Sequence, residues 1–316
     1  MTQTLADFRP APFTDPDQTA KGEVRASVVF DRLSTLWVMT GTLCNIACAN
    51  CYIESSPDND RLVYITPDEL EPYLDEVAAL VSGPIEIGFT GGEPFLNPHM
   101  SALADAALQR GHRVLILTNA MRPMMRPRVR GELLDLQARY PGQITLRISL
   151  DHYDAAVHDA ERGTGGFAAT LDGINWLSRN GFLLALAGRQ MTDETMAEAR
   201  AGYAALIAQH GWDIDAANPA QMVIFPEMDP AGSPPEITVD CWNILNKNPA
   251  DIMCASSRMI IKRRGANRPA VVACTLLPYD PQFELAETLT GSLKPVKLNH
   301  KFCAQFCVLG GASCSA

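Results

Sequence analysis

Cys44-Asn-Ile-Ala-Cys48-Ala-Asn-Cys51-Tyr52 sets three cysteines in a C-x3-C-x2-C spacing with an aromatic residue directly after the third. Three thiols this close together cannot build a useful disulfide framework. They can hold three corners of a [4Fe–4S] cube and leave the fourth iron open for a small molecule. Spacing alone also admits a zinc site, and a cysteine is often simply a small buried apolar residue. A fourth cysteine close by would favour structural zinc, and none follows for more than a hundred residues.

The loop follows the apolar run Thr35–Met39, the first of six. The others are Ile85–Phe89, Val114–Leu117, Ile144–Leu150, Leu183–Ala187 and Met222–Phe225. Amphipathic stretches separate them. Thr66-Pro67-Asp68-Glu69 carries an N-cap, a proline at the first helical position and a glutamate at the third, which makes a capping box. Asn97-Pro98 is expected to open the next helix in the same way. Arg126–Tyr140, Phe167–Asn180 and Asp193–Gln209 show helical periodicity, with Gly181 as a C-terminal cap. Strand–helix alternation at this spacing predicts parallel βαβ units with right-handed crossovers. Six units are too few for a closed eightfold barrel, so the expected fold class is α/β: a partial (β/α)6 barrel with a small cysteine-rich C-terminal extension. The expected division is residues 1–33 as an N-terminal extension, 34–235 as the barrel and 236–316 as the extension. In parallel α/β folds ligands bind at the carboxyl ends of the strands.

Unusual residues stand at those ends. Thr90-Gly91-Gly92-Glu93-Pro94 follows the second run, where two glycines allow close backbone approach and an acid can meet an ammonium group. Thr118-Asn119 follows the third run and Ser149-Leu150-Asp151 the fourth. Arg162-Gly163-Thr164-Gly165-Gly166-Phe167 leads into a helix, and Gly188-Arg189-Gln190 follows the fifth run. Taken in order, these stretches resemble the radical S-adenosylmethionine (SAM) superfamily over about residues 34–225. The resemblance implies that Cys44, Cys48 and Cys51 carry a [4Fe–4S] cluster. SAM would chelate its open iron and be cleaved reductively to a 5′-deoxyadenosyl radical. It further implies that Thr90, Gly91, Gly92 and Glu93 grip the SAM amino group, and that Asn119, Ser149 and Asp151 contact its ribose and carboxylate. Arg162 and Arg189 could pair with SAM or substrate. Salt bridges, from Arg162 to Asp159 or Glu161 and from Arg189 at the barrel rim, are the plain alternative. Tyr52 could pack on adenine or in the core.

Six further cysteines follow residue 240. Cys254…Gly265…Cys274, then Cys303-x3-Cys307-x6-Cys314, is similar to the SPASM/twitch extension of radical SAM enzymes, although the spacings depart from the family pattern. Two fully ligated auxiliary clusters would need eight thiolates, so one auxiliary [4Fe–4S] cluster is expected. Its ligands are expected to be Cys254, Cys274, Cys303 and Cys307, with Cys314 competing for the fourth place and zinc as the alternative metal. Cys241 stands apart. It is either a buried inert thiol or a hydrogen-atom donor.

The net charge is −10. A nucleic-acid ligand is therefore not expected. No apolar run is long enough to span a bilayer, and the first 21 residues lack a signal-peptide pattern, so a cytoplasmic protein is expected. The function expected from the resemblance is hydrogen-atom abstraction from a peptide or small-molecule substrate, most readily as a net oxidation, with a flavodoxin- or ferredoxin-type reductant. The alternatives are a redox-neutral epimerase using Cys241 and a non-catalytic iron–sulfur or zinc protein. With only about 33 residues before the first run, no peptide-recognition domain is expected ahead of the barrel.

Overall fold

The computed structural model describes residues 11–314. The signal-peptide reading of the N-terminus falls partly on residues 1–10, outside that range. Eleven strands and seven α-helices are formed among the described residues. The strands are β1 (Ser27–Val28), β2 (Thr35–Met39), β3 (Glu86–Thr90), β4 (Arg113–Thr118), β5 (Ile144–Ser149), β6 (Leu183–Gln190), β7 (Met222–Pro226), β8 (Ser257–Ile261), β9 (Ala270–Val272), β10 (Glu284–Ala286) and β11 (Val296–Lys297). The helices are α1 (Pro67–Leu80), α2 (Met100–Gln109), α3 (Pro127–Arg139), α4 (Ala155–Arg162), α5 (Gly166–Arg179), α6 (Met196–His210) and α7 (Cys241–Ile244). All six apolar runs are strands. Nine strands make one open sheet in the order β10-β9-β8-β2-β3-β4-β5-β6-β7, with β2 to β7 mutually parallel.

The extension continues this sheet. Strand β8 pairs parallel to β2, with Trp37 opposite Met259, and β9 turns back antiparallel to β8. The turn between β8 and β9 contains Gly265 at φ +78°, a left-handed position that favours glycine. A hairpin thus lies between Cys254 and Cys274, and it adds a seventh parallel strand that periodicity did not reveal.

Alternation along β2 explains the layering. Leu36 and Val38 face the helices in one apolar cluster, whereas Trp37 and Met39 belong to a second cluster with Met228, Ile237, Phe306 and the extension. Both faces of the sheet are buried, which is why its strands are apolar throughout. The capping box at Thr66 and Glu69 forms as expected. Helix α2 begins at Met100, later than Asn97-Pro98 suggested. Pro94–Leu96 forms a 3-10 turn first, and the Asn97 side chain is drawn inward to donate to the carbonyls of Thr40 and Ile65. Helix α4 was not foreseen. It is short, and Asp154 caps it by accepting from the backbone N–H groups of Ala156 and Val157.

Candidate active site

At the carboxyl ends of the parallel strands lies a cavity of about 190 Å³. Cys44, Cys48 and Cys51 line it together with Tyr52, Thr90, Gly91, Gly92, Asn119, Ser149, Asp151, Arg162 and Arg189. Residues from six separate segments are therefore brought to one place. The extension supplies Thr275, Leu276, Phe306 and Cys314 to the same wall.

The end of β3 is locked against the segment that leads into the cysteine loop. Gly92 N–H donates to the Gly41 carbonyl at 2.9 Å, and Glu93 N–H to the Leu43 carbonyl at 3.1 Å. A Cβ on Gly92 would lie 2.1 Å from that Leu43 oxygen, so the approach requires glycine. Gly91 is at φ +156°, and a Cβ there would meet the Gly41 carbonyl oxygen at 2.4 Å.

Glu93 is 2% exposed and does not line the cavity. Its carboxylate accepts from Thr118 Oγ1 at 2.9 and 3.0 Å, from the Asn119 N–H at 2.9 Å and from the Phe95 N–H at 3.2 Å. Burial pushes its pKa up to about 7 against those hydrogen bonds. The sequence reading placed this acid on a ligand's ammonium group. Here it ties the end of β3 to the end of β4, and the cavity face at this position is Thr90, Gly91 and Gly92.

Both arginines form ion pairs, Arg162 with a carboxylate other than the two expected for it. Arg162 grips Asp151 with two parallel bonds, Nε to Oδ2 at 2.6 Å and Nη2 to Oδ1 at 2.8 Å. Asp159, an expected partner, instead caps the start of α5 by accepting from the N–H groups of Gly165 and Phe167, each at 2.7 Å. Burial works to raise the Asp151 pKa, but the Arg162 charge outweighs it and holds the carboxyl below its ordinary value. Arg189 donates to Glu161 at 2.8 Å, forks onto Glu227 and lies over the Tyr52 ring at 5.1 Å. The Tyr52 hydroxyl donates to the Pro226 carbonyl, and its ring meets Phe306 edge-on. Asn119 donates to Asn45 Oδ1 at 2.9 Å within the cysteine loop.

A second, apolar cavity is lined by Cys254, Cys274, Cys303 and Cys307 among Ile252, Met253, Leu277 and Phe302. Cys303 and Cys307 share one π-helical segment, Cys303–Leu309. Cys314, grouped with these four on sequence, lines the first cavity instead, and Thr275 Oγ1 donates to its sulfur at 3.4 Å. The Gly310-Gly311 turn, with Gly311 at φ +63°, carries the tail past the second cavity to this place. Cys241 lines neither cavity. Its sulfur, at the start of α7, accepts from the Thr238 N–H at 3.4 Å.

Burial raises the Cys44 thiol to about 12, Cys48 to about 11, Cys254 to about 11 and Cys274 to about 12. Such thiols are neutral near pH 7 and become good ligands only when a metal displaces their protons. Among the described residues no three His, Cys, Asp or Glu side chains converge closely enough to share one ion. A single zinc would need its sulfurs about 2.3 Å from one point. Soft donors distributed around a cavity fit a polynuclear iron–sulfur cluster.

The sequence profile of the radical SAM superfamily matches residues 38–200, about half of the chain. The chain belongs to the radical SAM superfamily. Its members use a [4Fe–4S] cluster and SAM. It is 33% identical over 145 residues to the antilisterial bacteriocin subtilosin biosynthesis protein AlbA of Bacillus subtilis, covering 46% of this chain and 30% of AlbA. It is 33% identical over 147 residues to an AdoMet-dependent heme synthase of Methanosarcina barkeri, covering 46% and 39%. The match thus spans about a third of the length of these relatives. In fold it is similar to native anSMEcpe with bound AdoMet and Cp18Cys peptide, with a TM-score of 0.59 at 12% identity over 85% of this chain and 81% of that one. No helix among the described residues is long and apolar enough to cross a membrane.

Proposed function

We propose that this radical SAM enzyme modifies a peptide by hydrogen-atom abstraction and net oxidation, with one auxiliary [4Fe–4S] cluster. The observation that carries this reading is the single cavity that gathers Cys44, Cys48 and Cys51 with the ends of five parallel strands. Cys44, Cys48 and Cys51 would hold the catalytic cluster. When bound, cluster and SAM supply reductive SAM cleavage and the abstracting radical. The chain's own residues do the rest. Thr90, Gly91 and Gly92 offer backbone and hydroxyl groups at the cavity face. Asn119, Ser149 and the Asp151–Arg162 pair present polar groups for a zwitterionic ligand. Tyr52, clamped between Arg189 and Phe306, gives an aromatic surface for a base. Leu117, Phe225, Leu276 and Phe306 keep water out.

Cys254, Cys274, Cys303 and Cys307 would hold the auxiliary cluster, because these four line one apolar cavity. A peptide substrate is supported by the biosynthetic role in AlbA's name and by the peptide bound in the anSMEcpe structure. The heme synthase match keeps small metabolites as the competing class. A flavodoxin- or ferredoxin-type protein would deliver electrons.

The test is iron and sulfide per chain after anaerobic reconstitution. The wild type should hold about eight irons, and a Cys44→Ala/Cys48→Ala/Cys51→Ala variant about four. A Cys254→Ala/Cys303→Ala variant should also fall to about four. Full iron in either variant would refute the corresponding ligand assignment. Formation of 5′-deoxyadenosine from SAM under a chemical reductant, absent in the triple variant, tests the activity itself.

A further inference from the structure

The cysteine loop is anchored at two ends by different means. Its start is tied to neighbouring backbone, through the Cys44 N–H donating to the Ser56 carbonyl at 3.0 Å and the Leu43 carbonyl accepting from Glu93. Its second half, between Cys48 and Cys51, is tied to one residue. The Ala49 N–H donates to the Glu161 carbonyl at 3.0 Å, the Asn50 N–H to Glu161 Oε1 at 2.8 Å and Asn50 Nδ2 to Glu161 Oε2 at 3.0 Å. Among the described residues, every hydrogen bond that holds residues 49 and 50 to the rest of the fold ends on Glu161.

Glu161 is an unexpected residue for that place. It is 3% exposed and lies in the last turn of α4, where the helix dipole disfavours a negative charge. A residue that breaks a local rule in this way marks a site where the rest of the structure compensates. Arg189 supplies the compensation with its 2.8 Å bond to Oε1. That arginine also holds Glu227 and covers Tyr52, and the next residue, Arg162, grips Asp151 on the cavity wall. The end of α4 therefore joins the cysteine loop on one side to the ligand chamber on the other.

We propose that Glu161 is the positioning residue of the cysteine loop: its carboxylate fixes the loop between Cys48 and Cys51 and sets a negative charge beside the cluster. The proposal rests on the reading that these cysteines carry a cluster. Removing an outer partner of a metal ligand set typically weakens metal retention by roughly 10–100-fold. Glu161→Ala deletes both side-chain acceptors. Glu161→Gln keeps the size and one carbonyl acceptor for the Asn50 N–H but removes the charge, and Glu227 still holds Arg189.

The experiment follows anaerobic loss of iron to a chelator by absorbance, and the reduction potential of the loop cluster by spin-resonance titration. The signal is assigned by its absence in the Cys44→Ala/Cys48→Ala/Cys51→Ala variant. Glu161→Ala is expected to release the loop iron roughly ten-fold or more faster than wild type. Glu161→Gln is expected to retain iron near the wild-type rate but to be reduced at a more positive potential, because a negative charge that opposes the added electron is gone. A wild-type potential in Glu161→Gln together with a wild-type release rate in Glu161→Ala overturns the proposal. If Glu161→Ala does not fold, an unchanged potential in Glu161→Gln overturns it alone. A triple cysteine variant that holds as much iron as wild type would instead overturn the cluster reading beneath it.

Discussion

Gly92→Ala is the substitution with the most closely defined outcome. Its Cβ would lie 2.1 Å from the Leu43 carbonyl oxygen, 2.5 Å from the Leu43 carbonyl carbon and 2.8 Å from the Thr42 oxygen. All three are backbone atoms, so no side chain can swing away. Gly92 is not at a positive φ, and the cost is therefore contact, not backbone strain. The two segments must separate by about 0.9 Å to bring the shortest contact to 3.0 Å. That movement breaks the Glu93 N–H bond to the same oxygen, worth about 0.5–1.5 kcal/mol. Overpacking adds about 1–3 kcal/mol, so the loss should be about 1.5–4.5 kcal/mol. At roughly 2 °C per kcal/mol for a large domain, Tm should fall by roughly 3–9 °C. Leu43 is the residue before Cys44, so the displacement is handed directly to the cysteine loop. A misplacement near 1 Å costs on the order of 10²-fold in rate. Gly131→Ala is the control. Gly131 is exposed within α3 with nothing within 4 Å of an added Cβ, so alanine should stabilise by about 0.5–1 kcal/mol. Calorimetry of the two variants, with SAM cleavage measured after reconstitution, checks both. Wild-type Tm and wild-type SAM cleavage in Gly92→Ala would refute the close-approach argument.

The remaining predictions concern charge and sulfur. Asp151→Asn should destabilise by about 3–5 kcal/mol, because it leaves Arg162 mostly buried with no carboxylate partner; denaturant midpoints read this. His158 is fully buried, neither ring nitrogen finds a hydrogen-bond partner among the described residues, and burial pushes its pKa down to about 4 from an ordinary 6.5. The unfolded chain therefore binds this proton first. Stability should fall as pH drops from about 6.5 to about 4, by about 3 kcal/mol in all, and His158→Leu should flatten that slope in a Tm-against-pH series. Cys314→Ser should leave iron content at the wild-type value, whereas Cys307→Ser should lower it, as measured by iron analysis after desalting.

Local chemistry made much of the site readable. Each strand of a parallel sheet ends where a ligand can sit, so a glycine pair, Asn119, Asp151 and Arg189 after apolar runs announce a shared cavity without any knowledge of distance. What stayed hidden depends on contacts far apart in sequence. Strand β8 is five residues long, and its partner β2 lies more than two hundred residues earlier, so nothing near Ser257–Ile261 marks it as a continuation of the barrel sheet. The ion pairs were hidden for a related reason. Asp159 and Glu161 are close to Arg162 in sequence, but each already serves another element. Asp159 is committed to the start of α5 and Glu161 to the cysteine loop, which leaves Arg162 for Asp151, just past the end of β5.

The same competition explains the separation of the last cysteines. Equal spacing arguments applied to Cys303, Cys307 and Cys314, but the first two lie one π-helical turn apart and so reach the same cavity. Beyond them the Gly310-Gly311 turn redirects the chain, and buried Arg147 of β5 donates to the Cys314 carbonyl at 2.8 Å. A charged donor bonded at that depth ties the tail to the barrel strand. The position of Cys314 thus follows from a backbone contact with the barrel strand. The tail that leaves the four-cysteine cavity also completes the wall of the chamber, through Phe306 and Cys314.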